Sequence, residues 1–284
     1  MTENEEEEEF NWAEHLKAYL RTDEETNIEI AFQFLTSLGL PDDPELHEIL
    51  RSTDMNISYC LLHEVYEPIR EVTKLDLHTW NVEGVLSKIP SALPALQELN
   101  LTQCHIKQLP RDFCDLEQLE QLYLGFNKLQ DLPKDFKRLK KLTHLDLERN
   151  PLTTLPDNFW DFTEMQSLSL EDTKLVSIEG VGNLSKLEEL DLRDSAVEVL
   201  PEMVGKLEHL KILKIARTKI KTLPDLSALK NLELLYIGGL EGVMLPEWVL
   251  DLPALKEISL GKSQITEDFE KRLREAKPEL EIKF

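Results

Sequence analysis

Leu119-Glu120-Gln121-Leu122-Tyr123-Leu124-Gly125-Phe126-Asn127-Lys128-Leu129-Gln130-Asp131-Leu132-Pro133-Lys134-Asp135-Phe136-Lys137-Arg138-Leu139 decides the fold, because the pattern begins again 23 residues later at Leu142. Equivalent starts fall at Val72, Leu96, Leu119, Leu142, Met165, Leu187, Leu210, Leu232 and Leu255, with spacings of 24, 23, 23, 23, 22, 23, 22 and 23 residues. A period of this length marks a stacked-repeat architecture, in which one unit cannot bury its own apolar face and draws stability from its neighbours. Leu122 and Leu124 alternate with Tyr123, which sends the leucines to the inner side of a short strand and the tyrosine outward. Leu129, Leu132, Phe136 and Leu139 fill the interior on the way back. Pro133, with fixed φ and no amide donor, suits an irregular or short helical return.

The pattern resembles the leucine-rich repeat family, in the variety that reads Leu-Pro, then an apolar residue, then Leu in its second half. The resemblance implies an α/β fold: a right-handed horseshoe solenoid with a parallel concave sheet, one strand per repeat. In that family the ninth residue is Asn, whose amide bonds to backbone in the turn after the strand. Asn127 and Asn150 keep it, Cys104, Thr173, Ser195, Thr218 and Ser263 offer a smaller donor, and Trp80 and Leu240 cannot serve. The first repeat and the turn Gly238-Gly239-Leu240-Glu241-Gly242 are therefore the places where the geometry should depart. Leu-Pro is kept at Pro110, Pro133, Pro156, Pro201, Pro224 and Pro246, but the fifth unit has Ile178-Glu179.

A solenoid must seal its ends. Residues 10–71 carry no repeat, and their apolar residues recur at helical spacing (Trp12, Leu16, Tyr19; Ile28, Phe32, Leu35; Leu46, Ile49, Leu50; Ile57, Leu61, Val65, Ile69), which predicts a helical cap. Thr26-Asn-Ile-Glu29 reads as a capping box that starts the second helix, and Asp43-Pro44 as the start of the third. Repeats occupy 72–265. In 266–284, Thr266-Glu-Asp starts a helix, and Leu280, Ile282 and Phe284 alternate like one more strand, a C-terminal cap with which the chain is expected to end.

Composition narrows the function. The net charge of −23 repels phosphate backbones and anionic membranes and favours basic protein partners. Glu3 and Glu5 to Glu9 supply six of the negative charges, in a segment (1–9) expected to be a disordered tail. There is neither a secretory leader nor an apolar run of membrane-spanning length, and three cysteines (Cys60, Cys104, Cys114) make no even set, so a monomeric cytoplasmic protein is expected. No phosphate loop, HExxH, GxSxG or acidic calcium loop occurs. Gly238-Gly239 belongs to a solenoid turn, the seven histidines are scattered, and neither enzymatic activity nor a cofactor or metal is expected.

Outward strand positions are free of packing duty and form the candidate site. The central column reads Asp76, Asn100, Tyr123, Asp146, Ser169, Asp191, Lys214, Tyr236 and Ser259; the next reads His78, Thr102, Gly125, Glu148, Glu171, Arg193, Ala216, Gly238 and Gly261; Arg149, Asp172, Asp194 and Arg217 lie at the rim. The middle is acidic, crossed by Arg149 and Arg193 and ending at Lys214 and Arg217, with Tyr123 and Phe126 on one side and Tyr236 on the other as candidate anchors. Acidic side chains on adjacent strands repel one another, which a cation from a partner would relieve. Nine strands at about 4.8 Å make an inner edge of roughly 38 Å, enough for a small domain or a helix pair. The expected function is a non-catalytic protein-binding scaffold or adaptor using the concave face. The alternative is an acidic inhibitor or regulator of a basic enzyme.

Overall fold

Ten three-residue strands lie side by side in one sheet, in chain order and all parallel. The computed structural model describes residues 12–22, 24–261 and 264–284. The strands are β1 (Lys74–Asp76), β2 (Glu98–Asn100), β3 (Gln121–Tyr123), β4 (His144–Asp146), β5 (Ser167–Ser169), β6 (Glu189–Asp191), β7 (Ile212–Lys214), β8 (Leu234–Tyr236), β9 (Glu257–Ser259) and β10 (Glu281–Lys283). Register sets like on like: Leu99 opposite Leu122, Leu122 opposite Leu145, Leu145 opposite Leu168. Each middle residue from β1 to β9 is buried, as two-residue alternation requires.

The return segments close the core from behind. Leu129, Phe136 and Leu139 have no exposed surface and Leu132 is buried. Phe113, Phe136 and Phe159 recur at equivalent positions; Phe136 and Phe159 stack at 6.4 Å, and Phe162 meets both edge-on at 6.0 and 5.5 Å. Most returns are short 3-10 turns, as Pro133 foreshadows, whereas the first repeat returns through a helix, α5 (Ile89–Ala92).

The turn after each strand is the costly part of the repeat. The residue before the asparagine position takes a left-handed φ in succession: Thr79, Gln103, Phe126, Arg149, Asp172, Asp194 and Arg217 at 49 to 66°, then Gly239 at 78°. Outside glycine this conformation costs roughly 1–2 kcal/mol per residue. What holds it is the residue that follows. Asn127 Nδ2 donates to the carbonyls of Leu101 (2.8 Å), Leu124 (2.9 Å) and Gly125 (3.2 Å), and its Oδ1 accepts from the Ile106 amide at 2.9 Å. Cys104 Sγ reaches Leu77 O at 3.0 Å, Thr173 Oγ1 reaches Leu170 O at 2.8 Å, and Thr218 Oγ1 reaches Ile215 O at 2.9 Å. Ser195 departs from the expectation: its hydroxyl is buried without a partner, and its own backbone amide donates to Leu192 O at 3.1 Å instead. Ser263 lies outside the described residues. There Gln264 Nε2 donates to Ile237 O at 2.9 Å, the carbonyl equivalent to Leu101 O, while its Oε1 accepts from the Gly261 amide at 2.6 Å.

Four helices precede β1: α1 (Trp12–Leu20), α2 (Glu25–Leu38), α3 (Pro44–Leu50) and α4 (Asp54–Leu62). Asp43 caps α3 by accepting from the amides of Glu45 and Leu46, and Thr53 caps α4 by accepting from Asn56. The Thr26 capping box does not form, because α2 already starts at Glu25 and its N-cap, Glu24, makes no side-chain cap bond. Val65 and Ile69 fall beyond the end of α4, Ile69 in a 3-10 turn. Asp43 also meets the buried Lys17 at 2.7 Å, where Glu14 and Glu45 lie at 2.9 Å, so one ammonium ties α1 to α3. Asp54 of α4 accepts from the Asp76 amide of β1 at 3.2 Å, so the helices cover the first strand. At the other end Thr266 caps α6 (Glu267–Ala276) and β10 pairs with β9. A continuous cluster of buried apolar side chains runs from Leu16 to Leu280. The acidic segment 1–9 lies outside the described residues.

Candidate functional site

The strands that bury leucine inward present three columns outward, and their side chains form a connected charge network across β5 to β7. At its centre is Asp191, only 4% exposed. Arg193 Nε lies 2.9 and 3.1 Å from the two Asp191 oxygens, and its Nη2 donates to Asp191 at 2.7 Å and to Glu171 of the preceding repeat. On the other flank Lys214 donates to Glu189 at 2.6 Å and lies 3.3 Å from Asp191. Burial alone would lower the Lys214 pKa; Glu189 and Asp191 hold it above the ordinary lysine value. The hydrogen bonds that Arg193 donates to Asp191 likewise raise the arginine's pKa. At the rim Arg217 grips Asp194 through two bonds of 2.7 and 2.6 Å and holds its carboxyl below the usual carboxylate range.

Repulsion within the acidic middle is therefore largely relieved from inside the molecule. Asp191 and Glu171 are occupied by Arg193 and Lys214, and removing them would strand half-buried cations. Asp146 and Glu148 are different. They leave β4 two residues apart, and among the described residues neither makes an ion pair. Burial pushes the carboxyl of Asp146 up, with Asp191 and Glu171 adding to it; burial and then Asp146 push Glu148 up. Asp146 Oδ1 accepts from the Glu148 amide at 2.9 Å. Gly125 makes room beside them, since a Cβ there would lie 2.9 Å from both Asp146 Oδ2 and Glu148 Cγ.

The aromatic residues border this pair. Tyr123 donates to Gln121 Oε1 at 2.9 Å, and Phe126, 40% exposed, carries the Arg149 guanidinium 4.7 Å above its ring. Arg149 is also 3.9 Å from Asp172. Tyr236 stands four strands from Asp146 and hydrogen-bonds to Glu257, which Lys283 pairs at 2.8 Å. His78 sits on Asp76 at 2.8 Å, three repeats away from the equivalent Glu148 beyond β4, and His144 contacts Thr143 at 2.8 Å. The sequence reading named two strand columns and missed the third, Lys74, Glu98, Gln121, His144, Ser167, Glu189, Ile212, Leu234 and Glu257, although the same alternation places the residue before the first inward leucine on the outer face. Glu189 and Glu257 belong to it.

Among the described residues no group of three His, Cys, Asp or Glu side chains could hold a metal ion, and no helix is long and apolar enough to cross a membrane. The three cysteines are buried free thiols, Cys104 and Cys114 pushed up to about 11 by burial, which makes poor nucleophiles of both.

A family model described as a leucine-rich repeat region matches residues 71–191 and 170–278, which together make up well over half of the chain. The chain belongs to the leucine-rich repeat family. Its fold is similar to that of a leucine-rich repeat protein of Leptospira interrogans (23% identity, TM-score 0.66, 81% of this chain and 68% of that one). An internalin of Listeria monocytogenes is similar over 96% of this chain and 94% of its own, at 18% identity and TM-score 0.67. A plant peptide hormone receptor solved in complex with RGF2 is similar over 61% of this chain and 30% of its own, at 23% identity and TM-score 0.53. In sequence, 57 residues are 46% identical to part of a probable serine/threonine-protein kinase of Dictyostelium discoideum; the match spans 20% of this chain and 2% of that relative's length.

Proposed function

We propose that the chain is a non-catalytic protein-interaction scaffold that binds a partner along the concave face, from Tyr123 and Phe126 across Asp146, Glu148, Arg149, Glu171, Asp191, Arg193, Lys214 and Arg217 to Tyr236. The observation that carries this reading is the state of Asp146 and Glu148: two carboxylates on the concave side, raised by burial, that make no ion pair among the described residues, while Glu171, Glu189 and Asp191 beside them are paired internally. A Lys or Arg side chain from a partner supplies what they lack, and Tyr123 and Phe126 beside them are of residue types that anchor interfaces. The plant receptor among the similar folds is itself solved with a bound partner, which is in keeping with this use of the architecture.

The net charge of −23 favours a second reading, in which the partner is a basic enzyme and binding inhibits it. Affinity capture from a native lysate, repeated with the concave variant Asp146→Asn/Glu148→Gln and at low and high salt, tests both. The scaffold reading requires partners captured by the wild-type chain and lost or weakened with the variant. A single salt-sensitive basic enzyme whose activity falls on binding supports inhibition. Partners retained equally by both chains would overturn the choice of face.

A further inference from the structure

We propose that the free edge of β10 is a self-association surface, on which a second copy of this chain adds its own β10 antiparallel and joins the two sheets into one. β10 is the last strand of the sheet, paired with β9 on one side and with no strand on the other among the described residues. The Glu281 amide donates to Lys256 O at 2.9 Å and Lys283 O accepts from the Leu260 amide at 2.9 Å, so Glu281 and Lys283 turn their backbone groups toward β9. Alternation along the strand then turns the amide and carbonyl of Ile282 to the open side. Beyond being short, natural edges are blunted by proline, an inward-pointing charge or a cover. β10 has no proline, and its inward residue is Ile282, the one middle strand residue that is only partly buried. The opposite edge differs: α4 contacts β1, and Asp54 takes up the Asp76 amide at 3.2 Å. With β1 covered, head-to-tail stacking is blocked and a closed two-fold pair remains.

The strand is complementary to its own reverse. With Ile282 facing Ile282 on the two-fold axis, the stretch Leu280-Glu281-Ile282-Lys283-Phe284 sets Glu281 across from Lys283 of the second copy and Lys283 across from its Glu281. The Ile282 pair exchanges two backbone hydrogen bonds, and Glu281 and Lys283 fall at the closer, non-hydrogen-bonded positions, where opposite charges attract. On the inner face Leu280 meets Phe284, which is 52% exposed in the single chain. Glu281 shares its cation: the Lys283 ammonium 3.5 Å away is held at 2.8 Å by Glu257. Charge permits the approach. The chain carries −23, but residues 267–284 hold six acids and five bases. The two-fold also sends the helical caps, which the acidic stretch 3–9 precedes in sequence, to opposite ends, nine strand spacings or about 43 Å from the axis. The contact is short and its area falls below that of a stable interface, so the chain is a monomer when dilute and pairs above roughly 100 µM.

Sedimentation equilibrium of the full chain at about 0.15 M salt, from about 10 µM to about 1 mM, tests this. The weight-average mass should rise across that range toward the mass of two chains. Glu281→Lys and Lys283→Glu should each weaken association about tenfold or more, because each sets like charges opposite one another twice. Mixed in equal amounts, the two variants should regain it, since both contacts of the mixed pair join opposite charges; recovery on mixing also shows that both are folded. A wild-type chain that stays monomeric at about 1 mM overturns the proposal. Association that neither variant weakens belongs to another surface and overturns it too, as does association that both weaken and mixing does not restore.

Discussion

Asn150 and Ser195 hold the same place in two repeats and meet different chemistry. Asn150 Nδ2 donates to Leu124 O, Leu147 O and Glu148 O at 2.9, 3.1 and 3.2 Å, and its Oδ1 accepts from Leu129 N at 3.0 Å. Asn150→Ala leaves buried groups unsatisfied on both sides of the turn, at about 1–3 kcal/mol each, so a total loss of about 3 kcal/mol is expected in urea unfolding. Ser195→Ala removes a buried hydroxyl without a partner and should change stability by less than about 0.5 kcal/mol, or raise it. Equal losses for the two would sink this account of the turn. The asparagine ladder was legible because amide geometry is demanding enough to recur in sequence. The failure of Ser195 was not, since it depends on which of two donors, hydroxyl or amide, reaches one carbonyl. Gln264 was missed for a related reason: a longer side chain one residue later arrives at the same carbonyl by another path.

Among the elements, the start of α3 was readable from its capping side chain, that of α2 was not, and Thr53, which caps α4, was passed over. Asp43 before Pro44 accepts two amides and marks α3 in the sequence, whereas α2 begins on Glu25 with an uncapped Glu24, so the Thr26 pattern misled. Lys17 was invisible as a core residue because only the packing of α1 on α3 surrounds it with three carboxylates. The strands, by contrast, were fixed by alternation and by the period. Because α4 contacts β1, the helices stand where the first repeat would otherwise expose its apolar edge. Deleting residues 1–70 should therefore yield soluble aggregates in light-scattering chromatography, while deleting 1–9 leaves a monomer with an unchanged unfolding midpoint. A monomeric, equally stable product from the larger deletion would make the helices a separate domain and not a cap.

Across the whole molecule, charge is organised as two populations with opposite responses to acid. Asp194, Glu247 and Glu257 have pKa values lowered by Arg217, Arg272 and Lys283, so the stability they contribute is lost as pH falls through their folded values. Asp146 and Glu148 are raised, so between the ordinary carboxylate value and the raised one the folded chain holds more protons than the unfolded chain. Acidification through that window therefore adds stability from this pair. Asp146→Asn/Glu148→Gln should accordingly be as stable as the wild type at neutral pH or more stable by a few tenths of a kcal/mol, the scale of a relieved like-charge pair. As pH is lowered, the wild type should gain on the variant until the advantage is gone, which unfolding curves taken at steps from about pH 7 to about pH 4 would record. A partner recognised through these carboxylates should respond in the opposite sense, dissociating faster from the wild type as they protonate and showing little pH or salt dependence with the variant. Should the variant lose stability at neutral pH, Asp146 and Glu148 are structural acids with a cation that the geometry does not reveal, and the concave face loses its strongest claim to a basic partner.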